Sequence, residues 1–512
     1  MKRNKLASSI FMVTPICAAM ALVTNPSYAA TNDASDEEKQ PNIVLMMADN
    51  LGYGDLGVYG GGENRGMPTP NIDQLASEGL RFDQFLVEYS CAPTRAATLT
   101  GRYSIRSLDG GRGMQQSEIT LAKVLKDVGY ATAAYGKWHL GWDDTKGQQP
   151  QQRGFDEFYG VQDAAGKILY PSTMREQGIE PDEEVQLYVY QFNKRTGQME
   201  KVMPYNKITR RIIDERLVQK AVAFIQNNKD NPFFLYIPWT RVHYPNYPHP
   251  KFKDKSRIGM YGDSVMELDA NTGKVLEAIE ENGIEENTIV IWMSDNGPMR
   301  TAVWPDGGFQ GPYRGDIGSA REGSIRTAGM IKWPGHIEPG VMYEMLSCMD
   351  FFPTLAKFAD AERKIPTGRP IDGIDQSDFL LNYSTMTSQE KQTPPRDHLL
   401  TFINGMLTAV RWKQFRIYFT SLLPQEGFMA IEGSSSMNVP TLNPLIYNIE
   451  ADPREVVDTR IYNGWAMSKA GRYVTEYVES LEKDPNPTTI QPSLLPQEIF
   501  FKGYFDKAKL GK

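Results

Sequence analysis

The sequence predicts an α/β protein: a large, mostly parallel or mixed sheet sandwiched by helices, followed by a smaller C-terminal α+β domain. The chain of 512 residues exceeds one typical core, which favours two domains. Short apolar runs bounded by turn-forming residues indicate strands that are buried on both faces. Helical patterns alternate with these runs, as in a parallel sheet. The predicted strands are 42–48, 130–135, 233–238, 288–294 and 328–333.

The helical patterns and the later part of the chain complete this prediction. Amphipathic stretches predict helices over 71–79, 117–128, 208–228 and 256–283. The segment 360–397, rich in Pro, Gly, Thr, Ser and charge, is typical of a linker. After it, apolar residues at 399–403 and 415–419 predict a hairpin, and 463–483 predicts a helix. We therefore expect a large domain over 42–385 and a C-terminal α+β domain over 395–512.

The first 29 residues have the pattern of a secretory signal peptide. A basic start is followed by a mostly apolar stretch and by the small-x-small sequence Ser27-Tyr28-Ala29. Polar residues and a proline interrupt the apolar stretch, which makes it a poor permanent membrane span, although an uncleaved anchor is the alternative. We expect a signal peptide at 1–29, a mature N-terminal tail at 30–41, no membrane span in the mature chain, and a periplasmic or secreted location.

The charge excludes one class of function. The formal net charge is −8, and loss of 1–29 removes three basic residues and no acidic residue, so the mature chain is more acidic. A chain of this charge without a basic run does not bind nucleic acid or anionic lipid through bulk charge. An anionic substrate would therefore need a local cluster of cations.

The segment 91–102, CysAlaProThrArgAlaAlaThrLeuThrGlyArg, is the most informative motif. It places the thiol of Cys91 and the cation of Arg95 near the start of a predicted helix, where free N–H groups and the dipole favour an anion. A buried cysteine at a helix start is the alternative interpretation. After signal removal, Cys91 and Cys348 remain; they either pair in an oxidising compartment or stay apart, and the apolar surroundings of Cys348 indicate a buried, inert thiol.

Two predicted strands end in the same dipeptide. Asp49 and Asn50 follow the strand 42–48, and Asp295 and Asn296 follow the strand 288–294. Ligands bind at the carboxyl edge of open α/β sheets, so the four oxygen donors are expected to converge there. Carboxylate and amide oxygens suit Ca²⁺, with Mg²⁺ the less favoured ion. For either pair alone, an ordinary turn or helix cap is the alternative.

Two of the five histidines also follow predicted strands. His139 lies in GlyLysTrpHisLeuGly, and His243 follows the strand 233–238. Lys137 and His139 alternate with Trp138, so on an extended segment both side chains point to one side. We expect both histidines and Lys137 to reach the ligand edge of the sheet, and expect structural roles for the other histidines, His249, His336 and His398.

Several motifs in one order give the chain a family resemblance. The stretches 42–57, 91–102, 136–141 and 294–298, supported by 322–326, 333–337 and 445–455, are similar to those of type I sulfatases. The chain resembles an arylsulfatase-like, formylglycine-dependent enzyme of the alkaline-phosphatase superfamily, which implies that 42–385 is the catalytic sulfatase domain. The resemblance implies hydrolysis of aryl or carbohydrate sulfate esters to an alcohol and sulfate.

The resemblance also implies a role for each matching residue. A formylglycine-generating maturation enzyme would oxidise Cys91, and the hydrated aldehyde would attack sulfur to give a covalent sulfo-enzyme intermediate. The resemblance implies that Arg95 holds this nucleophile, that Lys137, His139 and His243 contact sulfate, the nucleophile or the leaving oxygen, and that Asp49, Asn50, Cys91, Asp295 and Asn296 bind Ca²⁺. The partner is then a sulfated small molecule or glycan. On chemical grounds His243 is the candidate general acid and His139 the base.

The chain departs from the family pattern at two positions. Asn50 stands where a second aspartate is common, which removes one negative charge from the metal site. Ile317 stands five residues before Glu322, where a substrate-binding lysine is usual. Either one sulfate contact is missing or another cation replaces it, and Arg314 and Arg321 are nearby in the sequence. A phosphatase or phosphonate monoester hydrolase of the same superfamily, and a non-catalytic binder of sulfated glycans, are the alternative functions. Aromatic residues in 170–205 either line a substrate pocket or pack an excursion of the chain.

Overall fold

The five predicted apolar runs are strands of one large sheet in the computed structural model, which describes residues 39–110, 113–299, 307–424 and 436–487. The predicted signal peptide and most of the predicted tail lie outside these residues. The sheet has ten strands, and its five further strands were not predicted. Its strands are β1 (Asn42–Ala48), β2 (Leu80–Leu86), β5 (Ala131–Lys137), β6 (Glu157–Val161), β7 (Tyr188–Asn193), β8 (Gln198–Pro204), β9 (Phe233–Pro238), β10 (Thr288–Ser294), β11 (Gly329–Lys332) and β12 (Gly340–Ser347).

The strand order is β12-β2-β11-β10-β1-β9-β5-β6-β7-β8. The central strands β10, β1, β9, β5 and β6 are parallel, whereas β11 and β7 join the two sides antiparallel, so the sheet is mixed with a parallel centre. The register pairs Ala48 of β1 with Ser294 of β10. The residues that follow these two strands therefore leave the sheet side by side. A separate two-stranded ribbon consists of β3 (Leu108–Asp109) and β4 (Gly113–Met114).

Helices cover both faces of the sheet. Along β1, Ile43, Leu45 and Met47 point into one apolar cluster and Val44 and Met46 into the other, as the period of two requires. The first face carries α2 (Cys91–Thr100), α4 (Leu121–Lys126) and α9 (Phe351–Phe358), and the second carries α1 (Pro70–Glu78), α6 (Ile213–Asn228) and α7 (Met260–Glu281). The four predicted helices are thus present, with α4 much shorter than expected.

The C-terminal part is an antiparallel sheet of four strands covered by a helix, which confirms the α+β prediction. The predicted hairpin is wrong in detail, because a further strand lies between its two arms and pairs with both. Alternation of apolar and polar residues is weak over this strand. The elements are β13 (His398–Ile403), β14 (Met406–Trp412), β15 (Phe415–Pro424), β16 (Ser436–Asn448), α12 (Arg460–Asn463) and α13 (Ala466–Ser480).

The segment 360–397 is packed rather than a free linker. It contains α10 (Ser377–Asn382) and α11 (Ser388–Lys391), and Phe379 and Leu380 are buried. Arg396 at its end forms a buried ion pair with Asp350, so the segment is tied to the large sheet at the point where the C-terminal sheet begins. The boundaries at 385 and 395 stay predictions. The remaining short helices are α3 (Ser104–Ser107), α5 (Tyr170–Glu176) and α8 (Glu322–Ile325).

The aromatic excursion at 170–205 forms β7 and β8 at one edge of the sheet. The ring of Tyr190 packs 4.7 Å from that of Trp142, and both border the main apolar cluster. These contacts favour the packing interpretation for Tyr190. Within the described ranges, no helix is both long enough and apolar enough to cross a bilayer.

Candidate active site

The two Asp-Asn pairs meet at the carboxyl edge of the sheet, where the sequence predicts them. The N–H of Asp295 donates to Ala48 O at 3.0 Å, which extends the β1–β10 pairing by one step. The N–H of Asn50 donates to Asp295 Oδ1 at 3.0 Å, and Asn296 Nδ2 donates to Asn50 Oδ1 at 2.8 Å. All four residues are buried. Four oxygen-bearing side chains therefore share one small, dry volume.

Cys91 is the first residue of α2, and its thiol faces this volume. Its Sγ lies 3.4 Å from Asp49 Oδ1 and 3.3 Å from Asn50 Oδ1. Burial, and then the charge of Asp295, raise the pKa of the Cys91 thiol well above its ordinary value. Both Cys91 and Cys348 are free, which excludes the disulfide alternative, and Cys348 is fully buried as expected.

Two buried cations neutralise the aspartates. Arg95 lies one helical turn after Cys91 and pairs with Asp295 Oδ2 at 2.8 Å, while its other terminal nitrogen donates to Lys137 O at 2.7 Å. Lys137, the last residue of β5, holds both oxygens of Asp49, at 2.8 and 3.0 Å. Burial opposes ionisation of Asp49, but Lys137, His243 and Arg95 outweigh it and hold the pKa of Asp49 below its usual range. An anion at this edge would lie beside two cations whose charges the aspartates already balance.

His243 is carried to the same edge by the loop after β9. Backbone bonds join Asp49 N–H to Arg241 O at 2.8 Å and Val242 N–H to Asp49 O at 2.7 Å, so the loop runs beside β1. The guanidinium of Arg210 donates to the backbone carbonyl of His243 at 2.9 Å and so helps to hold this loop in place. Burial and the charge of Lys137 lower the pKa of His243 to about 4. In the free protein its imidazole is therefore neutral near pH 7.

His139 also reaches the site, but by a different geometry from the one predicted. Its φ is +58°, in the left-handed region, so the segment turns at this residue and the argument from extended alternation is wrong. Burial, and then the charge of Lys137, lower the pKa of His139 well below its ordinary value. Its Nε2 lies 3.4 Å from Asp163 Oδ1. Neither Asp163 nor its ion-pair partner Lys167 was predicted, because no motif marks them.

The donor set fits a hard divalent cation. Ligand atoms of Asp49, Cys91 and His243 all lie within 4.8 Å of one another. Asn296 Oδ1 is buried without a hydrogen-bond partner, which is costly unless another group, such as a cation, accepts its lone pair. The oxygens of Asp49, Asn50, Asp295 and Asn296 are the ligands that Ca²⁺ or Mg²⁺ prefers.

Ile317 lies beside this edge and brings no charge to it. Its N–H donates to Pro298 O at 3.1 Å, and Pro298 lies two residues after Asn296. The two arginines considered as replacements both contact Glu455 of the C-terminal part: Arg314 donates to its carbonyl at 3.1 Å, and Arg321 to its carboxylate at 3.1 Å. These contacts direct both arginines toward the C-terminal sheet rather than toward Asp49.

The other three histidines have structural surroundings, as the sequence predicts. The ring of His336 stacks on Trp333 with centroids 4.0 Å apart, and that of His398 stacks on Tyr473 at 3.6 Å. The N–H of His249 donates to the carboxylate of Glu267 at 2.8 Å. None of these contacts involves the cluster around Asp49.

Comparison with known proteins identifies the family. Residues 41–361 match the model of the Sulfatase family. Human arylsulfatase A is 34% identical, with 81% of this chain and 83% of that protein covered, and rat steryl-sulfatase is 32% identical, with 87% and 90% covered.

A solved structure shows the same relationship in three dimensions. The PsFucS1 sulfatase from Pseudoalteromonas sp. superposes with a TM-score of 0.78 at 30% identity, covering 88% of this chain and 92% of that one. A phosphonate monoester hydrolase from Silicibacter pomeroyi, at 15% identity and a TM-score of 0.58, shares the fold alone. The chain belongs to the sulfatase family, within the alkaline-phosphatase superfamily, and is an arylsulfatase-like sulfuric ester hydrolase.

Proposed function

We propose that the protein hydrolyses aryl or carbohydrate sulfate esters with a formylglycine made from Cys91 as its nucleophile. The single observation that carries this proposal is the position of Cys91 Sγ, within 3.4 Å of Asp49 and Asn50 oxygens, beside the buried cations Arg95 and Lys137. An oxygen nucleophile at this position would meet both the metal ligands and the charges that hold a sulfate group.

The raised pKa of Cys91 supports a modified rather than a native thiol. A nucleophilic cysteine works as the thiolate, and burial with Asp295 and Asp49 nearby disfavours that anion. Exchange of the thiol and one Cβ hydrogen for a carbonyl oxygen, an oxidation performed by a maturation enzyme, gives an aldehyde. Its hydrate carries two hydroxyl groups, which a serine at the same position would not provide.

The proposed metal is Ca²⁺, held by Asp49, Asn50, Asp295, Asn296 and the modified side chain at position 91. When bound, it supplies positive charge to the sulfate oxygens and to the nucleophile. Asn50 replaces the usual second aspartate, so we expect weaker affinity than in relatives with two carboxylates at this point. Lys137 and Arg95 add the fixed charge that stabilises the developing negative charge during transfer.

In the first half-reaction, one hydroxyl of the hydrate attacks sulfur as its own proton passes to water, and the bond from sulfur to the ester oxygen breaks. The leaving oxygen takes a proton from His243, and the sulfo group is now on the enzyme. The imidazole of His243 is neutral in the free protein, with a pKa of about 4. The acid role therefore requires the negative charge of the bound sulfate ester to raise this pKa.

In the second half-reaction, a base removes the proton of the remaining hydroxyl, and His139 is the proposed base. The electron pair of that O–H bond forms the aldehyde carbonyl while the bond from carbon to the sulfate oxygen breaks. Inorganic sulfate leaves with the electron pair of the broken carbon–oxygen bond, and addition of water restores the hydrate. The enzyme thereby regenerates its nucleophile without hydrolysis at sulfur.

We propose that the mature chain starts after residue 29 and works in the periplasm or outside the cell, where sulfated small molecules or glycans are its partners. It needs a formylglycine-generating maturation enzyme during production. Nothing in its acidic composition favours nucleic acid as a partner.

Mass spectrometry of the peptide that bears Cys91, after co-expression with a maturation enzyme, tests the modification. We expect the aldehyde in place of the thiol, and an unmodified thiol in fully active enzyme would refute the proposal. The Cys91→Ser variant tests the mechanism, because a serine sulfate has no second hydroxyl and should accumulate after one turnover. Repeated turnover by Cys91→Ser would contradict it, and Cys348→Ser, which changes the other free cysteine, is the matched control.

A side-by-side assay of aryl sulfate, aryl phosphate and an aryl phosphonate monoester separates the proposal from the alternatives within the superfamily. We expect turnover of the sulfate ester to dominate, because the chain belongs to the sulfatase family. Dominant turnover of either phosphorus ester would favour the phosphatase or phosphonate hydrolase alternative. If the matured protein bound a sulfated glycan without hydrolysing it, the alternative of a non-catalytic glycan-binding protein would be favoured.

A further inference from the structure

The segment 162–167 covers both histidines of the site. It follows β6, whose last residue, Val161, pairs with Lys137 at the end of β5. The N–H of His139 donates to Gln162 O at 3.0 Å, so the two segments run on together beyond the sheet. A Cβ atom at Gly166 would lie 3.9 Å from Cε1 of His243. The segment therefore passes close to His243 at Gly166 and can place a side chain against the imidazole of His139.

Within this segment, a carboxylate stands between His139 and a lysine. Asp163 Oδ1 lies 3.4 Å from His139 Nε2 and accepts the N–H of Ala164 at 2.7 Å. Its other oxygen, Oδ2, accepts from the ammonium of Lys167 one helical turn later. The His139 and Asp163 side chains are each 22% exposed, so the pair is shielded but not sealed from solvent.

The charge on Asp163 decides which ring nitrogen of His139 carries a proton. Burial opposes ionisation, but His139 and Lys167 outweigh it and hold the pKa of Asp163 below its usual range. An ionised carboxylate only accepts hydrogen bonds, so it favours the tautomer of neutral His139 in which Nε2 carries the hydrogen. Nδ1, which is buried without a hydrogen-bond partner, then has a free lone pair.

We propose that Asp163, held by Lys167, is the positioning residue that fixes His139 in the Nε2–H tautomer and leaves Nδ1 as the base for release of sulfate. This inference rests on the function proposed above. Nδ1 takes the proton of the free hydroxyl of the sulfo-enzyme as the bond from carbon to the sulfate oxygen breaks. The resulting imidazolium passes its proton to water, which returns His139 to the neutral tautomer.

The neighbouring charges explain why a carboxylate is needed at this point. The groups that act on the His139 ring are Lys137, Arg95, Asp49 and Asp163. Lys137 and Arg95 oppose a positive imidazole, and Asp49 is already paired with Lys137. Asp163 is thus the carboxylate in direct contact with the ring, and it stabilises the imidazolium formed in the release step.

The Asp163→Asn variant tests this role. Its amide can donate to Nε2 and so favours the tautomer in which Nδ1 carries the hydrogen and cannot act as a base. We expect steady-state turnover of 4-nitrophenyl sulfate to fall about 100-fold, the scale of one general base. Because only release is impaired, a burst of one phenol per enzyme should remain, and intact-mass measurement should show sulfo-enzyme accumulating. The acid limb of the steady-state rate should move to lower pH, since a negative charge near His139 is lost.

Two further variants separate positioning from simple structural support. Lys167→Met removes the cation that keeps Asp163 ionised and should give a smaller loss that grows as the pH falls, whereas Lys167→Arg should restore turnover. The matched control is Asp127→Asn, which breaks the similar i,i+4 ion pair with Lys123 outside the site. We expect the control to have wild-type turnover.

The outcomes are distinct. The positioning role would be overturned if Asp163→Asn lowered the burst amplitude and the steady-state rate in equal proportion, or lowered neither. The proposed function would still stand in that case. If instead the wild-type enzyme retains a thiol at position 91 and its Cys91→Ser variant traps no sulfo-enzyme, the proposed function itself fails.

Discussion

The buried carboxyl group of Glu88 offers a direct test of the electrostatics beside the segment 91–102, where Cys91 is the proposed source of the nucleophile. It lies three residues before Cys91, is 5% exposed, and accepts the N–H of Ser104 at 3.1 Å. Thr94 of α2 bonds to both its backbone N–H and its carbonyl, so Glu88 anchors the turn that presents Cys91. Burial, with the charge of Asp372 adding to it, raises the pKa of Glu88 from 4.5 to about 7.

The binding of a proton by Glu88 decides whether this group's contribution to stability rises or falls with pH. Between pH 4.5 and about 7 the folded protein binds the Glu88 proton more tightly than the unfolded chain, so this group's contribution to stability falls as pH rises through that window. Each pKa unit corresponds to about 1.4 kcal/mol, so the cost of ionising buried Glu88 is about 3 kcal/mol at pH 8. At pH 5 the same cost is about 1 kcal/mol.

The Glu88→Gln variant keeps an oxygen that accepts from Ser104 and removes the titration. We expect its free energy of unfolding in urea, relative to wild type, to increase by about 2 kcal/mol between pH 5 and pH 8. Comparison of the two proteins cancels the titration of all other groups. Glu184→Gln, which changes an exposed glutamate, is the control and should show no such increase. The reasoning would be refuted if the free energies of unfolding of Glu88→Gln and wild type differed by the same amount at both pH values.

Two further predictions concern the site itself. Arg95→Ala leaves Asp295 buried without its partner at 2.8 Å and should destabilise the fold by about 3 to 5 kcal/mol, measured by urea unfolding. The double variant Arg95→Ala/Asp295→Ala should recover part of that loss, and strictly additive losses would contradict the pairing. His243→Ala should lower turnover of sugar or alkyl sulfates about 100-fold, as expected for loss of a general acid, and that of 4-nitrophenyl sulfate much less. Equal losses on both substrates, measured as kcat, would exclude the acid role.

The sheet and the carboxyl edge that carries the two Asp-Asn pairs were largely predictable from local sequence. Continuous apolar runs such as 42–48 and 288–294 cannot be anything but buried strands or helices, and their length and flanking turns favour strands. Parallel strands present their carboxyl ends at one edge, so Asp49 and Asp295 were expected to meet, as they do. The last two strands at one side of the sheet, β7 and β8, were missed because each has polar residues and only one β-branched residue.

The environment of His139 could not be predicted in the same way. A left-handed residue after a strand breaks the alternation on which side-chain direction was argued. Asp163 and Lys167 come from a separate loop that reaches His139 only because β6 lies beside β5. Nothing in their local sequence distinguishes this pair from a surface ion pair such as Lys123 with Asp127.

The amino-acid sequence alone determined the α/β class, the carboxyl-edge pairs and the position of Cys91 at the start of a helix, because each depends on periodicity or on neighbours along the chain. The tertiary structure decided which charges face one another: Arg95 on Asp295, Lys137 on Asp49, and Asp163 on His139. Electrostatic interaction depends on distance and burial, and both are set by the packing of strands and loops far apart in sequence.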